Sequence, residues 1–118
     1  MTFRVRRKLV CDPEFLGLPP HVRETYISVF RELAVADSPT LKGSGWYIEK
    51  LQQKQKLAPE GIFSVHVSDD GGKTWPWRGA FFRRGGDIVF FGFGPRNPDF
   101  YVRMARVREA LGRIDDQH

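Results

Sequence analysis

Histidine, tyrosine and arginine carry most of the chemistry this chain can offer. It has 3 His, 1 Cys, 14 Asp and Glu, and 19 Lys and Arg in 118 residues. No grouping of His, Cys and carboxylates has the spacing of a metal site, so neither a metal nor another cofactor is expected. Gly92-Phe93-Gly94 lacks the following glycine and lysine of a phosphate loop. Cys11 is the single cysteine, which excludes an intramolecular disulfide. His66 titrates, as a residue type, close to neutrality and can take or give a proton. The formal net charge of +5 points to a polyanionic partner, either nucleic acid or an acidic protein. Guanidinium groups hold phosphate bidentately, so the informative question is where the arginines gather.

A second motif competes for attention. Ser68-Asp69-Asp70-Gly71-Gly72-Lys73-Thr74-Trp75 fits the pattern Ser-x-Asp-x-Gly-x-x-Trp. It is similar to the Asp-box of sialidase propellers and some microbial ribonucleases, where it is a structural hairpin turn. One copy in a chain of this length cannot make a propeller. The Asx and glycine turn preferences make it a self-hydrogen-bonded turn here.

The elements around these residues read as follows. Phe3 to Cys11 alternates, with Phe3, Val5, Arg7, Leu9 and Cys11 on one face and Arg4, Arg6 and Lys8 on the other, which predicts a strand. Asp12-Pro13-Glu14 has the form of an N-cap followed by Pro in the first turn of a short helix. From Pro20 the period becomes helical, with Val22, Tyr26, Val29, Phe30 and Leu33 on one face, and Asp37-Ser38-Pro39 ends that helix. Residues 40–61 are the least readable. There Gly43-Ser44-Gly45 reads as mobile, Trp46 to Leu51 as a short strand or a turn of helix, and Gln52 to Lys56 as polar and basic. Phe63, Val65 and Val67 alternate with Ser64 and His66 as a strand. Trp77 to Arg84 and Ile88 to Phe93 are two aromatic-rich strands around the turn Gly85-Gly86-Asp87. Asn97-Pro98-Asp99 opens a last helix through Tyr101, Met104, Ala105, Arg108 and Leu111, with Gly112 placed as its C′ residue. The order is α+β: a small antiparallel sheet with N-terminal helices and a C-terminal helix, β-α-α-β-β-β-α. The basic N-terminus, Met1 to Lys8, has no apolar stretch behind it, and no run is long enough to span a bilayer, so a soluble cytoplasmic protein is expected.

The second half of the chain, from Ile62 to Leu111 and above all the stretch from Trp77, resembles the RelE- and HigB-like toxins of bacterial toxin–antitoxin pairs. Trp77-Arg78, Gly85-Gly86, Ile88 to Phe93, Gly94-Pro95-Arg96 and Tyr101 stand in that family's order, and Lys50-Leu51 before the sheet fits it too. The resemblance implies a single domain over residues 1–118 that acts as a messenger-RNA endonuclease and is held inactive by a cognate antitoxin. Its partners would be that antitoxin and messenger RNA, free or ribosome-bound. Arg78 and Arg96 match the family's strand and loop arginines and would clamp the scissile phosphate. Tyr101 matches its C-terminal tyrosine, for stacking a base or moving a proton. His66 stands where the family often has a basic residue and would serve as general acid or base. Lys50, Arg83 and Arg84 would add RNA contacts.

The sequence departs from the family at acidic Asp99 and in the length of the loop from Ser68 to Pro76. Plainer readings stay open as well. Tyr101 shares a face with Met104, Ala105 and Leu111 and is equally a core position. Arg103, Arg106 and Arg113 read as a solvated helix face. A ParE-like topoisomerase inhibitor, or a non-catalytic basic binding module of the same fold, would look alike at this level.

Overall fold

A computed structural model describes residues 3–8, 11–50 and 62–115, with side chains through 110. The readings made for Leu9 and for 51–61 lie outside these residues. In chain order the elements are β1 (Arg4–Arg7), α1 (Asp12–Leu16), α2 (Pro20–Ala34), β2 (Lys42–Gly43), β3 (Trp46–Lys50), β4 (Ile62–Val67), β5 (Trp77–Arg84), β6 (Asp87–Pro95) and α3 (Phe100–Asp115). They form one six-stranded sheet in the order β1-β6-β5-β4-β3-β2.

The sheet is antiparallel from β2 through β6, as its hairpin signals require. β1 differs: it joins the edge of β6 in parallel, Arg4 opposite Asp87 and Arg7 opposite Phe90. A parallel neighbour needs a long crossover, and here the whole intervening chain supplies it. Arg4 fixes the register with two hydrogen bonds from Nε and Nη2 to the Asp87 carboxylate, at 3.0 and 3.1 Å. The expected strand to Cys11 stops early, because the Cys11 N–H turns back to the Lys8 carbonyl. Cys11, not Asp12, is the N-cap residue of α1, and Asp12 is committed instead to an ion pair with Arg7 at 3.6 Å. α2 closes at Ala34, before Asp37-Ser38-Pro39, while α3 runs through Gly112 to Asp115 rather than ending there. Gly43-Ser44-Gly45 makes the turn of a β2–β3 hairpin, with Gly45 at φ +76°. That conformation suits glycine because no Cβ opposes it.

Both faces of the sheet are covered, and this explains the unbroken apolar run of β6. On one face Phe63, Val65, Phe81, Ile88, Phe90 and Phe93 pack with Val22, Tyr26, Val29 and Leu33 of α2 and with Phe15 of α1. On the other, Ile62, Ala80, Phe82, Val89 and Phe91 pack with Phe100 and Met104 of α3. A bulge beside Ala80 and Phe81 sets Phe81 against Phe90 but Ala80 against Gly92. Phe91 and Gly92 therefore both turn toward α3, and Phe93 returns to the α1–α2 face to stack on Phe90 at 5.6 Å. Each of these phenylalanines stabilises the fold by about 1.5–3 kcal/mol through burial. A Cβ on Gly79 would lie 2.8 Å from the Tyr26 ring, so that glycine is needed for α2 to reach the sheet.

Candidate functional site

α3 covers only part of its face of the sheet. Beyond it runs a cross-strand row, Tyr47–His66–Arg78–Gly94, set by the β3–β4, β4–β5 and β5–β6 registers. Gly94 brings no side chain to the row, which lets the Arg103 guanidinium and the Phe100 ring of α3 close on it; a Cβ there would lie 3.0 Å from Arg103 Nη2. Arg78, Arg96, Asn97, Pro98 and Tyr101 line a cavity of about 410 Å³, a volume within the range of small-ligand sites.

Local sequence explains each placement. Arg78 is buried in β5 at 7% exposure; its Nη1 donates to the carbonyls of Trp75, at 2.5 Å, and Trp77, at 3.1 Å. No other hydrogen bond of its guanidinium is formed among the described residues, so the rest of that group is available to the cavity. Arg96 is exposed in the loop after β6, and its N–H donates to the Pro76 carbonyl at 2.7 Å. Asn97-Pro98-Asp99 starts α3: the Asn97 side chain accepts from the Asp99 N–H, and the Asp99 carbonyl accepts from the Arg103 N–H at 2.9 Å. The Asp99 carboxylate is exposed and does not line the cavity. Tyr101, in the first turn of α3, reaches back to the sheet, where its hydroxyl lies 3.2 Å from Ser64 Oγ.

His66 stands behind this cavity rather than in its lining. Its ring lies flat against Tyr47, with centroids 4.4 Å apart and planes 4° apart, and Trp75 meets Tyr47 edge-on at 4.8 Å. Burial first, then the Arg78 and Arg96 guanidinium charges, push the imidazole down to about 4. Glu49 Oε2 is 3.3 Å from Nε2 and pulls the other way, but its carboxylate is half exposed and screened by solvent, so desolvation wins. Neither ring nitrogen makes a hydrogen bond among the described residues. At neutral pH this histidine is uncharged.

The remaining basic candidates lie elsewhere. Lys50 is opposite Phe63, on the α1–α2 face, with its Nζ 6.0 Å from that ring. Arg83 is on the same face, over Phe3 at 4.8 Å. Arg84 sits over Phe82 at the β5–β6 turn, six residues along β5 from Arg78 and so about 20 Å away. The structure thus brings Arg78, Arg96 and Tyr101 together with His66 behind them, and leaves Lys50, Arg83 and Arg84 outside. Tyr47, Ser64, Trp75 and Asn97 were missed at the level of sequence. Only the strand register and the start of α3 reveal them, since none belongs to a motif that marks it as a neighbour of Arg78.

The turn from Ser68 closes on itself as its sequence requires. Ser68 Oγ donates to Asp70 Oδ1 at 2.7 Å and accepts the Gly72 N–H at 2.9 Å. Asp70 Oδ1 also accepts the Lys73 and Thr74 N–H groups, and Oδ2 accepts the Thr74 hydroxyl at 2.6 Å. These bonds, the Thr74 hydroxyl foremost, hold the Asp70 carboxyl down at about 2. Gly71 and Gly72 take φ +78° and +92°.

Among solved structures, a chain of the archaeal RelE–RelB complex from Pyrococcus horikoshii OT3 superposes with a TM-score of 0.54. The match covers 83% of this chain and 99% of that one at 16% identity. The fold is RelE-like. No family model matches the chain, and no curated protein sequence matches it. The α+β architecture expected from the sequence is therefore found in this fold, with the β2–β3 hairpin added to its antiparallel part and β1 set parallel. No helix among the described residues is long and apolar enough to cross a membrane.

Proposed function

We propose that this protein is the toxin of a toxin–antitoxin pair and that it cleaves messenger RNA at the Arg78–Arg96–Tyr101 cavity. The observation that carries the reading is the convergence of two arginines from separate elements, one of them buried, on one open cavity beside a tyrosine hydroxyl. Burying a guanidinium is costly unless an anion or hydrogen-bonding groups compensate. Two carbonyls satisfy one of its nitrogens, and a phosphate would satisfy the others bidentately.

In this reading the ribose 2′ oxygen attacks the adjacent phosphorus and the bond to the 5′ oxygen breaks. A 2′,3′-cyclic phosphate and a free 5′-hydroxyl result. Arg78 and Arg96 stabilise the added negative charge on the phosphoryl oxygens. Tyr101 lines the cavity with its hydroxyl held by Ser64; in this reading that hydroxyl gives its proton to the leaving 5′ oxygen, while water takes the 2′ proton and Tyr101 is reprotonated from solvent. His66, neutral and covered by Tyr47, lies behind the lining and holds its protonation state through the physiological range. Its buried ring argues against the direct acid–base role expected from its residue type.

The antitoxin, a neighbour's protein by this reading, would compete for the same basic face; the RelE–RelB complex whose chain shares this fold supports such a partner. Controlled expression tests the assignment. Growth should arrest, coexpression of the adjacent small open reading frame should relieve it, and Arg78→Ala with Arg96→Ala should abolish it. Arrest with messenger RNA intact would remove the nuclease and favour a ParE-like role. No arrest at all would remove the toxin.

A further inference from the structure

The Asp70 turn ends where both arginines are held. Its last residues, Trp75 and Pro76, present consecutive carbonyls: Trp75 accepts from Arg78 Nη1, and Pro76 accepts from the Arg96 N–H. The Trp75 ring also meets Tyr47, which lies on His66. The leg carrying these carbonyls belongs to no strand or helix. Its course is set by Asp70, which gathers Ser68, Lys73 and Thr74 around one carboxylate, and by Trp77 Nε1, which donates to Asp69 at 3.3 Å.

We infer that the Asp70 turn is a positioning element of the anion site, with Asp70 and Thr74 acting through the Trp75 and Pro76 carbonyls to aim Arg78 and place Arg96. The inference rests on the reading of that cavity as a phosphate site. Neither Asp70 nor Thr74 lines the cavity. Loss of either would free the guanidinium and the Arg96 loop to adopt several geometries, and bidentate phosphate binding tolerates little of that. The negative charge of Asp70 has a second consequence. It is stabilised by four donors inside the turn, so the carboxylate stays ionised and holds the loop together.

The test is a double-mutant cycle on the full chain. Affinity is measured by fluorescence anisotropy for a single-stranded RNA oligonucleotide carrying 2′-deoxyriboses, which binds but cannot be cut. Arg78→Ala should weaken binding about tenfold, as expected for loss of a charge-assisted contact. Asp70→Ala and Thr74→Val should each weaken it several-fold, and Thr74→Ser, which keeps the hydroxyl, should restore it. Added to Arg78→Ala, neither should cost a further comparable loss. A destabilising variant remote from the turn and the cavity, Val5→Ala in β1 opposite Ile88, should bind as wild type. Should Asp70→Ala fail to fold, the Thr74 pair carries the same comparison. Wild-type affinity in Thr74→Val, or full additivity with Arg78→Ala, overturns the positioning role alone. Wild-type affinity in Arg78→Ala overturns the phosphate site itself, and the inference with it.

Discussion

Replacing His66 with phenylalanine should remove a specific part of the protein's acid sensitivity. The folded state holds this imidazole at about 4, against 6.5 for the free side chain, because the ring is buried and faces two guanidiniums. The sign follows from proton binding. Between those values the unfolded chain takes up a proton that the folded chain refuses, so acidification favours unfolding. Stability from this group is complete above about pH 6.5, falls through the interval, and is fully lost below about pH 4. The difference corresponds to about 3 kcal/mol in all, of which about 2 kcal/mol is already lost at pH 5. Phenylalanine keeps the flat ring against Tyr47 and has nothing to protonate. Urea unfolding of both proteins at pH 8, 6 and 5 isolates the effect, since it reads the difference between their slopes and most carboxylates remain ionised throughout. Wild type should lose about 2 kcal/mol more than His66→Phe between pH 8 and pH 5. Parallel pH dependences would refute the argument and show that Glu49, not desolvation, governs the imidazole.

Other consequences are local. Gly79→Ala forces a methyl toward the Tyr26 and Phe93 rings, at 2.8 and 3.2 Å, and should cost about 1–3 kcal/mol by overpacking, measured by chemical denaturation. Glu14→Ala breaks a 3.6 Å ion pair with Arg103 and removes the acceptor, 3.4 Å away, of the Phe93 N–H. The partly exposed ion pair contributes under about 1 kcal/mol, and the orphaned N–H should add about 1–3 kcal/mol to the loss, read by urea unfolding. The Cys11 thiol is fully buried and, through desolvation and then Asp12, pushed up to about 11. Thiol-reactive probes at pH 8 should therefore label it only as fast as the protein opens, while denatured chain reacts at once. Rapid labelling of folded protein would contradict the burial of the α1 N-terminus.

How much of this was legible beforehand varies along the chain. The aromatic strands β5 and β6 and their glycine turn were plain, because two runs with strong β preference flank residues that favour a tight turn. The helical face of α2 was equally plain from the spacing of Val22, Tyr26, Val29 and Leu33. The parallel placement of β1 was not, since no local pattern tells an edge strand which neighbour it will meet. Gly112 misled for a related reason: a glycine near a helix end signals termination only if the backbone turns left-handed there, and α3 continues instead. Within the site, Arg78, Arg96 and Tyr101 could be named from the resemblance of a short segment. The Asp70 turn could be named from its own composition. What the sequence could not convey was that the turn's last two carbonyls meet those arginines, nor that His66 would be walled in by Tyr47. Both depend on registers between strands whose connecting segments carry no pairing code. Lys50, Arg83 and Arg84 shared the charge of the site residues, but strand parity and position along β5 carry them to other surfaces.

The most direct test of the proposed function is the chemistry of the RNA ends made in cells. Messenger RNA should be mapped after brief expression of the wild type and of the Arg78→Ala/Arg96→Ala double variant. New fragments bearing 2′,3′-cyclic phosphate and 5′-hydroxyl termini are expected with the wild type, and none with the double variant at equal protein level. Undamaged messenger RNA during wild-type growth arrest, or identical fragments from the double variant, would contradict the proposed function.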